Sequence, residues 1–267
     1  MIRPFFAPSR ALPSLLGAAC ALAAFGVPAL ALPTTNPLPG PTGLGVIPTT
    51  QTAAPQSIET TLAYERISIQ GGGNAQFEPF ANTTFGFKKG EIGSAYARER
   101  TYFGPSIPAP NTFTVNFFAV HGKYRVYEKN GAALALGAHY YDFGRTSGFS
   151  LGNTLSLYAT GSYDLPGTGK TRTQLHLGLL GQRLNGGNLV KSDSFLRYFA
   201  GVEVFAPHSQ LSVAADYLDA NKSAARAYSI AVRLQPNAKQ RVGGILGAGR
   251  QGPETKYFAS LTYRFGK

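Results

Sequence analysis

The feature that most restricts what this chain can fold into is its last stretch, residues 255–265, which reads TKYFASLTYRF. Side chains alternate across an extended strand. Tyr257, Ala259, Leu261, Tyr263 and Phe265 therefore share one face, and Phe258, Ser260, Thr262 and Arg264 the other. An apolar face edged by aromatic rings, backed by a face of small and polar groups, is what a lipid-facing barrel strand requires. A soluble sandwich strand alternates too, but turns a charged face to water.

The same alternation recurs along the chain. Leu62 and Tyr64 oppose Glu59, Thr61 and Glu65; Phe85 and Phe87 oppose Asn82, Thr84 and Lys88; Leu134, Leu136 and Tyr140 oppose His139 and Tyr141. Leu175, Leu177 and Leu179 oppose Gln174, His176 and Gln182; Tyr198, Val202 and Val204 oppose Glu203. Leu211, Val213 and Tyr217 oppose Ser212 and Asp216, and Tyr228, Ile230 and Val232 oppose Ser229 and Arg233. In 112–128 the parity of the aromatics changes, which predicts a bulge or a change of environment near Phe117. Asn130-Gly131 reads as a tight hairpin, and 104–111, with Pro105, Pro108 and Pro110, as a loop. The total is about twelve strands. Short turns at 89–90, 130–131, 166–169, 207–209 and 236–239 alternate with longer connections, and an even count lets the barrel close. The fold class expected is all-β: one antiparallel up-and-down transmembrane barrel covering 57–267.

The start of the chain has a different character. Arg3 and Arg10 precede an apolar run over 12–32 that ends in Ala29-Leu30-Ala31, the pattern of a secretory signal peptide over 1–31 cleaved after Ala31. The lone cysteine, Cys20, lies inside that run, so the exported chain carries no disulfide. Residues 32–56, rich in Pro, Thr and Gly, read as an extended lead-in.

Within it stands Pro41-Thr42-Gly43-Leu44-Gly45-Val46-Ile47-Pro48-Thr49; later come Gly122-Lys123-Tyr124-Arg125-Val126-Tyr127-Glu128 and Ala133-Leu134-Ala135-Leu136-Gly137. These resemble the lead-in and the paired K-Y-R and A-x-G strands of the YjbH-like outer-membrane barrels. The Leu-Pro-x-Gly usual after that lead-in stands here as Ala54-Pro55-Gln56-Ser57. The resemblance implies an exported barrel associated with surface polysaccharide production.

The function expected follows from the face opposite the apolar one. Glu59, Glu65, Lys88, His139, His176, Glu203, Asp216, Arg233 and Arg264 are the candidate lumen-lining residues, and Leu175, Leu177, Leu179, Tyr257, Leu261, Tyr263 and Phe265 the candidate lipid-facing ones. Twelve strands lie between barrels filled by side chains and the wide porins. The reading is a narrow passive channel for small solutes. Without Arg3 and Arg10, 23 of the 25 Lys and Arg remain against 13 Asp and Glu, a surplus near +10 that suggests a modest anion preference. The alternatives are a largely closed accessory barrel linked to polysaccharide export or envelope integrity, and a lipid-modifying enzyme using His139 or His176 with Ser156 or Ser212 and Glu203. No His pair has metal-ligand spacing and no phosphate loop is present, so neither metal nor cofactor is expected. Bases scattered along an exported chain do not make a nucleic-acid stripe. The partners expected are outer-membrane lipid, the barrel-assembly machinery, small anionic solutes or polysaccharide-export components, and the location is the bacterial outer membrane.

Overall fold

The computed structural model describes residues 47–266, apart from 70–72, 103–111, 143, 147–148, 151, 167–170, 188–191, 220–225 and 238. The expected signal peptide, the first part of the lead-in and the proline loop at 104–111 lie outside the described residues.

Among the described residues fourteen strands follow one another: β1 (Ser57–Ile69), β2 (Gly73–Phe87), β3 (Gly90–Tyr102), β4 (Thr112–Lys129), β5 (Ala132–Asp142), β6 (Arg145–Thr146), β7 (Phe149–Ser150), β8 (Gly152–Leu165), β9 (Arg172–Gly186), β10 (Asp193–Phe205), β11 (Leu211–Leu218), β12 (Ala227–Leu234), β13 (Val242–Gln251) and β14 (Glu254–Gly266). Twelve of them close into one antiparallel barrel, and β6 and β7 form a separate ribbon in the connection between β5 and β8. Closure runs from Ser57↔Gly266 to Ser68↔Thr255, so the pairing of the terminal strand β14 with β1 removes the sheet's free edge.

Five connections, 88–89, 130–131, 166–171, 206–210 and 235–241, lie at one end together with the start of β1 and the close of β14. We call this the turn end and its opposite the loop end. Asn130 and Gly131 both have positive φ, 52° and 76°, the backbone of a two-residue primed turn. The loop end also carries a tight connection, 252–253.

The outer wall is an apolar band between two aromatic groups. Phe85, Phe87, Tyr124, Tyr163, Tyr263 and Phe265 are exposed towards the turn end, Tyr96, Tyr198, Tyr217, Tyr228 and Tyr257 towards the loop end, and Leu62, Leu136, Leu157, Leu177, Leu246 and Leu261 are exposed between them. Aromatic girdles around an aliphatic band are the outer surface of a transmembrane barrel.

The bulge expected near Phe117 is not there. Val115 and Phe117 point inward and are buried, Phe118 and Val120 point outward, and the alternation continues unbroken. The irregularity lies between Arg125 and Tyr127, in the last turn-ward residues of β4. Large apolar residues on both faces mimic a parity change when the inner wall is itself partly apolar.

Candidate functional site: an occupied lumen

The interior is built by the inward set of each strand, and it is filled by the chain's own lead-in. Residues 47–50 are all buried. The segment leaves the lumen through a turn at Pro55–Gln56, where Gln56 has φ 58°, and passes into β1. Gln56 N–H donates to Gly86 O at 2.8 Å. A Cβ on Gly86 would stand 2.0 Å from Ala54 O, so only glycine lets the lead-in lie against β2 here.

Several of the described lead-in residues meet specific partners on the wall. Ala53 N–H donates to Glu91 at 2.7 Å, and Glu91 is held by Lys123 at 3.1 Å. Arg125 donates from Nε to Thr50 O at 3.3 Å and from Nη2 to Thr52 Oγ1 at 3.1 Å. Thr50 Oγ1 donates to Ser162 Oγ at 2.9 Å, and Thr160 Oγ1 donates to Pro48 O at 3.3 Å. Ile47 reaches the middle of the barrel and joins Tyr158, Leu180, Phe199, Ala214, Leu218 and Ala227 in a buried apolar cluster.

Gln51 is the most completely held of these residues. Its carbonyl accepts from Arg233 Nη2 and Gln235 Nε2, both at 2.9 Å. Its amide donates to Gln174 Oε1 at 3.2 Å and Glu203 Oε2 at 3.4 Å. Both ends of one carboxamide are thus satisfied by four wall residues. Glu203 and Arg233 also pair with each other at 3.2 Å.

Several of the other inward charges are taken up across neighbouring strands. Arg264 meets Glu59 at 2.7 Å and Lys256 meets Glu65 at 2.9 Å. Ser229 donates to Asp216. His139 stacks edgewise among His121, Tyr141 and Tyr158, with ring centroids 5.0–6.1 Å away. A charge buried inside a barrel is tolerated when paired in this way.

Of the nine residues proposed from sequence for the lumen, Glu59, Glu65, His139, His176, Glu203, Asp216, Arg233 and Arg264 take inward positions. Lys88 does not: β2 ends at Phe87, and Lys88 sits exposed in the turn. Leu175, Leu177, Leu179, Tyr257, Leu261, Tyr263 and Phe265 are exposed on the outer face. Sequence reasoning missed Glu91 and Lys123, because an inward charge on a strand of weak or shifting alternation gives no periodic signal, and Lys256, which stands at the start of β14. It also missed Gln51, which sits in a stretch that reads as linker.

The Ser and His groups considered for catalysis combine differently from the expected pairs. Ser156 accepts from Gln182 at 3.0 Å, and Ser212 donates to Glu203. The Ser–His contact is between Ser162 Oγ and His176 Nδ1 at 2.7 Å, and His176 Nε2 lies 3.8 Å from Glu203, beyond hydrogen-bond reach. Thr50 covers Ser162. Among the described residues no cluster of three His, Cys, Asp or Glu could hold a metal ion.

No family model matches the chain, and no curated protein matches its sequence. Solved structures do. The COG4313 outer membrane channel from Pseudomonas putida F1 aligns with a TM-score of 0.53 at 9% identity, over 81% of this chain and 98% of that one. A KdgM porin aligns with a TM-score of 0.46 at 10% identity, over 77% of this chain and 99% of that one. The translocator domain of the autotransporter NalP from Neisseria meningitidis aligns with a TM-score of 0.46 at 11% identity, over 94% and 98%. At these identities the likeness is one of fold, and the first of the three, the only one above 0.5, aligns this barrel with an outer-membrane channel over nearly that protein's whole length.

Proposed function

We propose that this protein is an outer-membrane channel that closes itself: a narrow barrel whose lumen is occupied by its own lead-in and which passes small polar solutes when the lead-in withdraws. The observation that carries the reading is Gln51, gripped inside the barrel by Arg233, Gln235, Gln174 and Glu203. A segment that adds no strand to the sheet and is held by side-chain hydrogen bonds is a removable plug in energetic terms. The fold likeness and the girdled outer wall support the outer membrane as its place, with the turn end towards the periplasm.

The inner wall argues for selection by size and hydrogen bonding. Among the described residues the buried charges are Glu59, Glu65, Glu91, Glu99, Glu203, Asp216 and Glu254 against Lys123, Arg197, Arg233 and Lys256. The cationic surplus that suggested an anion preference is not carried by this wall.

A second reading rests on where the YjbH-like resemblance falls. Arg125 of the K-Y-R strand bonds inside the barrel to Thr50 and Thr52, the residues that follow the lead-in motif. That favours an accessory part in polysaccharide export, with the lead-in as the contact released to a partner.

The test is a disulfide between lead-in and wall. The exported chain has no cysteine of its own, so Thr50→Cys with Ser162→Cys, whose hydroxyl oxygens are 2.9 Å apart, makes a single defined pair. In planar bilayers the oxidised protein should stay closed and the reduced protein should show stepwise current. Equal current in both states overturns the plug. No current in either state, nor in Gln51→Ala, leaves the accessory reading, which predicts co-purification with envelope machinery.

A further inference from the structure

Arginines stand on the outward face of the barrel wall at the loop end. Arg66 in β1, Arg98 and Arg100 in β3 and Arg250 in β13 are all exposed at outward positions in the last residues of their strands. The register gathers them. Arg66 is level with Gln76, and Gln76 with Arg100, so Arg66 and Arg100 stand two strands apart, about 10 Å at the usual strand spacing. Arg98 lies one pleat below Arg100. Arg250 is level with Thr255, which is level with Ser68, so it stands two strands from Arg66 on the other side and one pleat higher. The patch spans β13, β14, β1, β2 and β3.

At their turn end the same strands present something else on the same face. Ile58, Phe85, Phe87, Ile92, Val242, Tyr263 and Phe265 are exposed there. The exposed cations beside these strands at that end, Lys88, Lys89, Lys239 and Arg241, sit in connections instead of on the wall. An arginine on a lipid-facing position is costly at the bilayer midplane and nearly free at the interface. Four of them in one band at one end therefore mark the level of the headgroups, and arginine in place of lysine marks the geometry of the anion. Its planar fork binds phosphate oxygens in pairs, whereas an ammonium binds as a point charge.

We infer that Arg66, Arg98, Arg100 and Arg250 form a binding surface for the phosphate groups of the lipid that makes up the outward leaflet, a phosphorylated glycolipid seated across β13 to β3, with Tyr96 one pleat below Arg98 and Tyr257 level with Arg66. The inference rests on the orientation proposed above, with the loop end outward, and does not depend on conduction.

The experiment uses the full mature chain refolded in neutral detergent and measures the shift in melting temperature on adding diphosphoryl lipid A, enzymatically dephosphorylated lipid A, or inorganic phosphate. The wild type should be stabilised by the diphosphoryl lipid, hardly by the dephosphorylated lipid, and not by free phosphate at the same concentration. Arg66→Gln with Arg100→Gln should weaken the lipid's apparent affinity by about tenfold or more, and 0.5 M salt should weaken it in the wild type. Lys88→Gln with Lys89→Gln should leave it unchanged. Equal shifts from phosphorylated and dephosphorylated lipid, both measured on the wild type, overturn the inference whether or not the arginine variant folds. Equal affinity in wild type and a folded arginine variant overturns it as well. Because no arm measures current, a barrel that binds the lipid and never conducts sinks only the channel reading.

Discussion

Gln51 is an uncharged residue in a segment of low complexity, and it makes more specific contacts inside the barrel than most of the charges do. Four hydrogen bonds at about 1 kcal/mol each in net terms are lost when its carboxamide is removed. The Glu203–Arg233 pair stays behind to satisfy itself. Gln51→Ala should therefore leave the barrel folded and raise the open-to-closed ratio by up to about a thousandfold on the scale of about 1.4 kcal/mol per decade; single-channel open probability checks it. The pair Glu65–Lys256 behaves oppositely. Both groups are buried, 2.9 Å apart, and neither is among the hydrogen-bond partners of the described lead-in residues. Glu65→Leu alone leaves a buried ammonium and should cost about 3–5 kcal/mol, while Glu65→Leu with Lys256→Met should be close to neutral. Guanidinium unfolding of the barrel in detergent measures both. Glu65 was legible in the sequence because β1 alternates cleanly. Lys256 was not, because a single charge beside Tyr257 at a strand's start looks like an end residue.

At the scale of elements, the inner wall is shaped by glycines that face rings. Gly93 pairs with His121, Gly137 with Tyr158, Gly178 with Phe199 and Gly247 with Phe258, each directly across a strand boundary. In every case a Cβ on the glycine would lie 2.2–2.4 Å from the partner's ring. The ring lies over the glycine and fills the space that a side chain would take, the arrangement that rescues glycine in designed sheets. Gly137 is the cleanest instance, since all three nearest atoms belong to the Tyr158 side chain. Gly137→Ala should cost about 1–3 kcal/mol in the wild type and much less in a Tyr158→Ala background. A double-mutant cycle on unfolding free energy reads the coupling; additive costs would mean that the ring does not sit on the glycine. The sequence shows these residues but not the pairs, because a strand's register with its neighbour appears only once the barrel closes. The same limit explains the poor patterning of β13. Its inward positions include Gly243, Gly247 and Gly249, which give no polar signal although they face the lumen.

For the molecule as a whole, the lead-in and the barrel are held by different forces. The barrel is closed by backbone ladders, including β1 against β14 along nearly the full length of both. The described lead-in is held mainly by side chains, by the Ala53 N–H to Glu91, by one backbone bond from Gln56 to Gly86 where it leaves the lumen, and by Ile47 in its apolar cluster. Alternation and turn chemistry made the barrel readable, since they act within each strand. The plug was not readable, since a threaded segment needs no periodicity, only partners that arrive from β3, β4, β8, β9, β10 and β12. Removing residues 32–54 should then spare the fold and change the lumen. The truncated protein should still show a heat-dependent mobility shift on a gel, melt at a lower temperature than the full chain because the apolar cluster loses Ile47, and conduct without closing. A truncated chain that no longer folds would make the lead-in part of the barrel's core instead of its gate. A folded chain that conducts no better than the intact one would mean that the paired charges at Glu59–Arg264, Glu91–Lys123 and Glu203–Arg233 close the lumen by themselves.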